Sequence, residues 1–379
     1  MEPVSPKGKE DGGTVFAPAC PQRYLILMTK PSPPNMNDIT DIAQRKADHI
    51  EVVLGEDVGF GRVTNGFEAI RFVHNALPEL ALADVDVSTS FVGRGLKAPL
   101  LISSMTGGPG RAEAINIHLS EAAEALGIAL GVGSQRIALE AQGAGGLTPD
   151  LRRRAPSIPL IGNLGAAQIL GDHGVTTTKR AIEMIEADAL FIHLNPLQES
   201  VQPGGDTDWR GVLKALEAVV TAGLPIIVKE VGFGLSADVI RRLTDVGVTL
   251  FDVAGAGGTN WARVEGARDA DGPTARIASA FTEWGIPTAQ AVMDARSVAP
   301  GATIIASGGI KDGVDAAKAL RLGADLVGQA AGTLGAATTS TDAVVSHFQE
   351  MIDTLKITCF CTGSADLAAL KSAPLLDNR

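Results

Sequence analysis

Lys229 closes the apolar run Pro225-Ile-Ile-Val-Lys-Glu-Val231, an unusual place for a solvated lysine. Two readings fit it: a structural ion pair with Glu230 or another carboxylate, or a fixed positive charge beside an electron-rich cofactor ring. In His193-Leu-Asn-Pro-Leu-Gln-Glu199, strand alternation puts His193 and Asn195 on one side, with Gln198 and Glu199 just beyond. Glu199 suits Mg²⁺, which often takes a single carboxylate plus phosphate oxygens and waters. The plainer alternatives are a helix-capping glutamate and a satisfied core histidine. Ser307-Gly-Gly-Ile310 ahead of a helix starting near Gly313 offers backbone N–H groups and a helix end to a phosphate, or is simply a tight turn. Arg45, Lys46 and Arg136 form a set able to clamp a diphosphate, Arg136 through a bidentate fork, although singly the first two read as surface charges. The glycines of Asp252-Val-Ala-Gly-Ala-Gly-Gly-Thr-Asn-Trp261 suit close approach to a flat cofactor, and Thr259 adds a hydroxyl.

These residues need elements to position them. From about residue 98, a short aliphatic run ending in small or polar residues alternates with a helical stretch. The runs are Pro99 to Met105, Ile128 to Ser134, Pro159 to Gly165, Ala189 to Asn195, Pro225 to Val231, Thr249 to Gly255, Thr303 to Gly309 and Ala324 to Ala330. Continuous apolar runs fit strands buried on both faces. Helices are expected over Thr178 to Glu186, Trp209 to Ala222, Ser236 to Val246 and Gly313 to Leu322, with Ser236 and Asp312 as caps. Alternating units of this kind imply a parallel α/β sheet, and eight of them a closed (β/α)₈ TIM barrel over 98–340. A doubly wound open sheet competes, but no Gly-x-Gly-x-x-Gly follows the first run. In a barrel the strand C-termini carry the site. Here those ends are Ser104-Met-Thr-Gly-Gly108, Gly133-Ser-Gln-Arg136, Asn163, His193-Leu-Asn195, Lys229-Glu230, Gly257-Gly-Thr259, Ser307-Gly-Gly309 and Gln329.

Residues 1–40 mix Pro, Gly, Lys and Glu without periodicity and read as a disordered, inert N-terminal extension. Residues 41–97 form a pre-barrel segment expected to contribute to the substrate site, and 341–379 a C-terminal helix and cap. Arg152-Arg-Arg154 reads as a solvated helix end. Few aromatic residues (4%) and a net charge of −11 exclude a nucleic-acid partner and require a local basic cluster for any anionic substrate. Cys20 stands alone, and Cys359-Phe-Cys361 lacks zinc spacing and reads as packed, incidental thiols. With no signal-like or spanning apolar stretch, the chain reads as cytoplasmic, with no membrane partner.

In this order the motifs resemble the type 2, FMN-dependent isopentenyl diphosphate isomerases, from about Arg45 to Ala365-Asp-Leu367. The matching segments are Arg45-Lys46 with His49, Ser104-Met-Thr-Gly-Gly108, Gly131-Val-Gly-Ser-Gln-Arg136, Asn163-Leu-Gly165, His193-Leu-Asn195 with Gln198-Glu199, Val228-Lys-Glu-Val-Gly232, Gly257-Gly-Thr-Asn260 and Ala306-Ser-Gly-Gly309. The resemblance implies a homo-oligomeric barrel, a tetramer or octamer, using FMN, Mg²⁺ and a reductant such as NADPH. It implies FMN contacts from Ser104, Met105, Thr106, Ser134, Asn163, Lys229, Thr259, Gly308, Gly309, Ile310, Ala330 and Ala331. It assigns the diphosphate substrate to Arg45, Lys46, Ser134, Gln135, Arg136 and Gln198, and Mg²⁺ to Glu199. The chain departs from that family in its N-terminal extension and in ending soon after Ala373-Pro374.

The implied reaction shifts a proton across an allyl unit without net redox change. No strong acid in the motif set aims at the alkene, so reduced FMN is expected to serve as acid and cation stabiliser. Lys229 would favour its anionic form, Gln198 would position the allylic carbon and relay the second proton, and His193 and Asn195 would orient the diphosphate. An FMN-dependent 2-hydroxy-acid oxidase or dehydrogenase on the same fold is the nearest rival. That chemistry needs a histidine base and a carboxylate-binding arginine, whereas Gly255-Ala-Gly-Gly-Thr259 offers neither. A non-catalytic flavin- or phosphate-binding protein would have no need of Gln198, Glu199 and the basic set.

Overall fold

The computed structural model describes residues 48–104, 111–140 and 146–377, all within the unit Met36–Arg379. The N-terminal extension, Arg45, Lys46, Met105 and Thr106 lie outside the described residues. The chain enters through a helix at 48–55 (α1) and a two-stranded antiparallel hairpin, β1 (Thr89–Phe91) and β2 (Arg94–Leu96). The barrel follows. Its first half is β3 (Leu100–Ile102) and α2 (Arg111–Leu126); β4 (Ala129–Gly131) with α3 (Arg136–Glu140) and α4 (Asp150–Arg154); β5 (Leu160–Gly165) and α5 (Gly174–Ile185); and β6 (Ala189–His193) with α6 (Pro196–Val201) and α7 (Val212–Thr221). The second half is β7 (Ile226–Lys229) and α8 (Ala237–Asp245); β8 (Leu250–Asp252) with α9 (Trp261–Ala267), α10 (Pro273–Ser279) and α11 (Thr288–Val298); β9 (Thr303–Ala306) and α12 (Gly313–Leu322); and β10 (Leu326–Gln329) with α13 (Ala331–Ala337) and α14 (Thr341–Thr362). A short α15 (Leu367–Leu370) ends the described helices.

The eight strands β3 to β10 are parallel to their neighbours and close through β10 against β3. This is the expected (β/α)₈ barrel, with one strand in each of the eight apolar runs. Leu100, Ile102, Leu130, Val228 and Val327 face the helical layer, while Leu101, Ala129, Ile161, Phe191, Ile227, Ile305 and Leu326 fill the lower interior. Phe91 and Leu96 of the hairpin join that inner cluster and are 4% and 3% exposed, closing the N-terminal end. No signal in the sequence announced this plug.

Helix caps form where expected. Ser236 Oγ accepts from Val239 N, and Asp312 Oδ1 accepts from Val314 N and Asp315 N. Trp209 stays outside α7, because its indole N–H donates to Asp206 O at 2.9 Å and so ties it to the preceding loop. The 152–154 arginine run is a solvated helix end only in part: Arg153 is exposed, whereas Arg152 is not. Arg152 is buried, donates to Ala155 O and Ile158 O, and places Nη2 2.7 Å from Asp188 Oδ2. It satisfies carbonyls that the chain would otherwise bury unpaired. Cys359 is buried on α14 and free, and burial pushes its thiol up to about 11, as suits a packed thiol. Among the described residues no helix is long and apolar enough to cross a membrane.

Candidate active site

The C-terminal ends of the strands surround a cavity of about 460 Å³, walled on one side by His49, Ile50 and Val53 of α1. Its floor shows how the barrel handles charge. Lys229 pairs in register with Asp252 on the adjacent strand and lies 5.9 Å from the Phe191 ring centroid. Nζ donates to Glu230 O at 3.2 Å, and an ammonium has two further protons to place. Burial pulls the Lys229 ammonium down, while the Asp252 and Glu230 carboxylates pull it back up. Asp252 in turn accepts from Ser307 Oγ at 2.6 Å. Glu230 Oε2 accepts from the N–H groups of Val231, Gly232 and Phe233, which fastens the turn after β7.

A second polar chain crosses the mouth. His193 Nδ1 sits 2.8 Å from Asn163 Oδ1, an arrangement in which the ring donates. Asn195 Nδ2 donates to Gln198 Oε1 at 3.1 Å and to Glu199 Oε1 at 2.9 Å. Gln198 Nε2 donates to Glu265 Oε1 at 2.9 Å. Glu265 is fully buried on α9, 3.0 Å from His49 Nε2 and 3.1 Å from Arg268 Nη1. Burial pushes its carboxyl up, but His49, Gln198 and Arg268 together outweigh burial and hold it below the usual range. Gln198 is therefore fixed at both ends of its amide.

Ser104, Ser134, Arg136, Asn163, His193, Asn195, Gln198, Glu199, Lys229, Thr259, Gly308, Gly309, Ile310, Ala330 and Ala331 all line this one cavity. Gln135 does not. It is fully buried, donates to Ala181 O at 2.8 Å and accepts from Asn163 N at 2.9 Å, bracing β5 against α5. Arg136 places Nη1 3.2 Å from Asp206 Oδ2, which orients its guanidinium at the rim.

The glycine loop differs in detail from the sequence expectation. Gly308 and Gly309 have φ of 105° and 68°, and a Cβ on them would fall 2.1 Å from Gly255 O and 2.4 Å from Gly257 O. Glycine is thus demanded by contact between the β8 and β9 loops as well as by ligand approach. Two first-turn N–H groups of α12, those of Val314 and Asp315, are already taken by Asp312, which leaves that helix end less to offer an anion than the loop before it.

The donor set fits a flavin. Ser103 Oγ and Ser104 Oγ are buried in the cavity wall without a hydrogen-bond partner among the described residues. Such hydroxyls call for a polar ligand. A divalent ion bound by protein alone does not fit, since no cluster of three His, Cys, Asp or Glu forms among the described residues. One shared with substrate phosphate does. Glu199 lines the cavity, and among the described residues its Oε1 accepts from Asn195 Nδ2 alone, while Oε2 is anchored by Gln202 Nε2 and Asp206 N.

Sequence reasoning passed over Glu265, Ser103 and Gln168, which also matter here. Glu265 had a faint signal: it lies four residues after Trp261 in a helix capped by Asn260, so both face α1, where the His49 ring meets Trp261 edge-on at 5.3 Å.

Residues 178–377 match the FMN-dependent dehydrogenase family. A Xanthobacter autotrophicus protein named isopentenyl-diphosphate delta-isomerase is 62% identical, over 89% of this chain and 98% of its own. Proteins of the same name from Stutzerimonas stutzeri and a Nostoc species are 59% and 45% identical, over 88% and 90% of this chain and 97% of theirs in both cases. Among solved structures, a Pediococcus acidilactici lactate oxidase superposes with a TM-score of 0.64 at 14% identity, covering 93% of this chain and 96% of its own. A mandelate oxidase bearing an FMN monooxide adduct gives 0.62 at 15%, covering 89% and 99%. At such identities the two oxidases show a shared fold alone.

Proposed function

The chain belongs to the isopentenyl-diphosphate delta-isomerase family, and from that footing we propose how its cavity converts isopentenyl diphosphate to dimethylallyl diphosphate with FMN. The observation that carries the reading is that one cavity joins a flavin-type floor (Ser104, Asn163, Lys229 and the Ser307–Ile310 loop) to a diphosphate-type rim of Arg136, His193, Asn195 and Glu199. Gln198, held by Asn195 and Glu265, stands at the rim with those residues.

Bound FMN in its reduced state supplies the acid–base and cation-stabilising chemistry that the side chains lack. Lys229 sets a positive charge in the dry floor, where a charge acts more strongly than in water. Ser104, Ser134, Asn163 and Thr259 hold the flavin, and Gly308 to Ile310 with Ala330 and Ala331 take its phosphate; Met105 and Thr106 belong to the same set. Gln198 aligns the allylic carbon and carries the second proton. Its rigid amide supports that role, because misplacing a reacting group is costly. Arg136, with Arg45 and Lys46 of the pre-barrel segment, clamps the diphosphate, which His193 and Asn195 orient. Gln135 serves as a brace for Ser134 and Arg136. Glu199 binds Mg²⁺ shared with the diphosphate. NADPH is the reductant. The protein acts in the cytoplasm as a homo-oligomer, a tetramer or octamer; exposed Ile277 and Trp284 offer apolar surface for subunit contact.

The test is an anaerobic assay with FMN, Mg²⁺, NADPH and isopentenyl diphosphate, followed by NMR. Dimethylallyl diphosphate should form only when the flavin is reduced. Bound, reduced flavin without product would remove the substrate assignment.

A further inference from the structure

The flavin phosphate, as proposed for this cavity, meets the Ser307–Ile310 loop, and the role assigned to the loop's tethers rests on that placement. A trans peptide points its C=O and the next N–H in opposite directions. Thr288 Oγ1 donates to Gly308 O at 2.6 Å, and Asn65 Nδ2 donates to Gly309 O at 2.6 Å. Both side chains are buried and stand behind the cavity wall rather than in it. With these two carbonyls drawn backward, the N–H groups of Gly309 and Ile310 are set on the cavity side. Neither has a hydrogen-bond acceptor among the described residues. Gly258 leaves the first of them uncovered: a Cβ there would sit 2.6 Å from Gly309 N.

The tethers are themselves anchored. Asn65 Oδ1 accepts from Phe67 N at 3.0 Å, and Asn65 O accepts from Ala289 N at 2.9 Å, so the pre-barrel segment is sewn to the start of α11. Thr288 opens α11, and its N–H donates to Ala256 O at 3.3 Å. Two elements outside the cavity therefore dictate the loop's orientation. Successive N–H groups presented in this way form an anion-binding concavity.

We infer that Thr288 and Asn65 are positioning residues that preset the Gly309 and Ile310 N–H pair for the cofactor phosphate, and that Gly258 keeps the pair open. Because the device acts on the phosphate and not on the ring, its loss is selective. Riboflavin, which lacks the phosphate, does not use it.

The full-length protein, freed of flavin, is titrated with FMN and with riboflavin by fluorescence quenching, as wild type, Thr288→Val and Gly258→Ala. Valine keeps the threonine shape and removes the donor. Gly258 has no left-handed φ, but an alanine methyl there would fall 2.6 Å from Gly309 N and 3.0 Å from Gly309 Cα, so it covers that N–H or displaces the Gly308–Gly309 peptide. Each variant should bind FMN about tenfold more weakly and riboflavin within about twofold of wild type. Unchanged FMN affinity in both variants overturns the inference. So does parallel weakening of both flavins, which would mean general loosening of the site. A wild type that binds FMN no better than riboflavin would instead defeat the phosphate placement on which the inference rests.

Discussion

Gln198 owes its orientation to a carboxylate it does not neighbour in sequence. Glu265 accepts from Gln198 Nε2 while pairing with Arg268 and His49, so the amide cannot flip without losing two hydrogen bonds. Glu265→Gln should lower kcat about tenfold and stability by about 1–3 kcal/mol, with FMN affinity unchanged. An unaltered kcat would free Gln198 from that role. Glu199→Gln should raise the Mg²⁺ concentration needed for half-maximal turnover, and superimposable Mg²⁺ titrations would remove Glu199 as ligand. Glu230 gives a pH signature. Burial raises its carboxyl to about 7, against the pull of the Phe233, Gly232 and Val231 N–H groups and Lys229. A folded pKa above the ordinary value means that the folded state keeps a proton the unfolded chain gives up. The contribution to stability is therefore present at low pH and lost as pH rises from about 4.5 through about 7. Wild type should lose thermal stability relative to Glu230→Gln across that window. Parallel curves would show that Glu230 titrates normally. The site residues legible in the sequence are those within a few residues of a strand end. Gln135 stands beside Ser134 and Arg136 yet turns away, whereas Glu265, Asn65 and Thr288 reach the site only through tertiary packing.

The strands themselves were legible because burial on both faces leaves continuous apolar runs. The hairpin β1–β2 was not. Its strands are three residues each, and its turn at Val92-Gly93 lacks an Asn-Gly signal, although φ is positive at both positions, 41° and 82°. What it contributes is a plug. Phe91→Ala should cost about 3–5 kcal/mol in denaturant unfolding, as a large core deletion does. FMN affinity should stay within about twofold, since the cavity proposed to hold the flavin lies at the opposite end of the barrel. A loss of flavin matching the loss of stability would mean that the two ends are coupled.

Across the molecule, a chain of net charge −11 sets Arg136, Lys229 and Lys311, and the Ser103 and Ser104 hydroxyls that are partnerless among the described residues, around one mouth, a local cluster suited to an anionic substrate and cofactor. Ile277, on α10, and Trp284, just after it, are 54% and 60% exposed. On the proposed oligomer, Trp284→Lys should lower the mass measured by sedimentation; an unchanged mass would remove this patch as the subunit contact. The buried hydroxyls of Ser103 and Ser104 have a consequence beyond catalysis. Each polar group kept from water without a partner costs about 1–3 kcal/mol, and a saturating ligand returns about 2.7 kcal/mol at a hundred times its Kd. Flavin binding and folding are thereby expected to be linked. The flavin-free chain should melt below the FMN-bound one, and equal melting temperatures would show that the two hydroxyls carry no such cost.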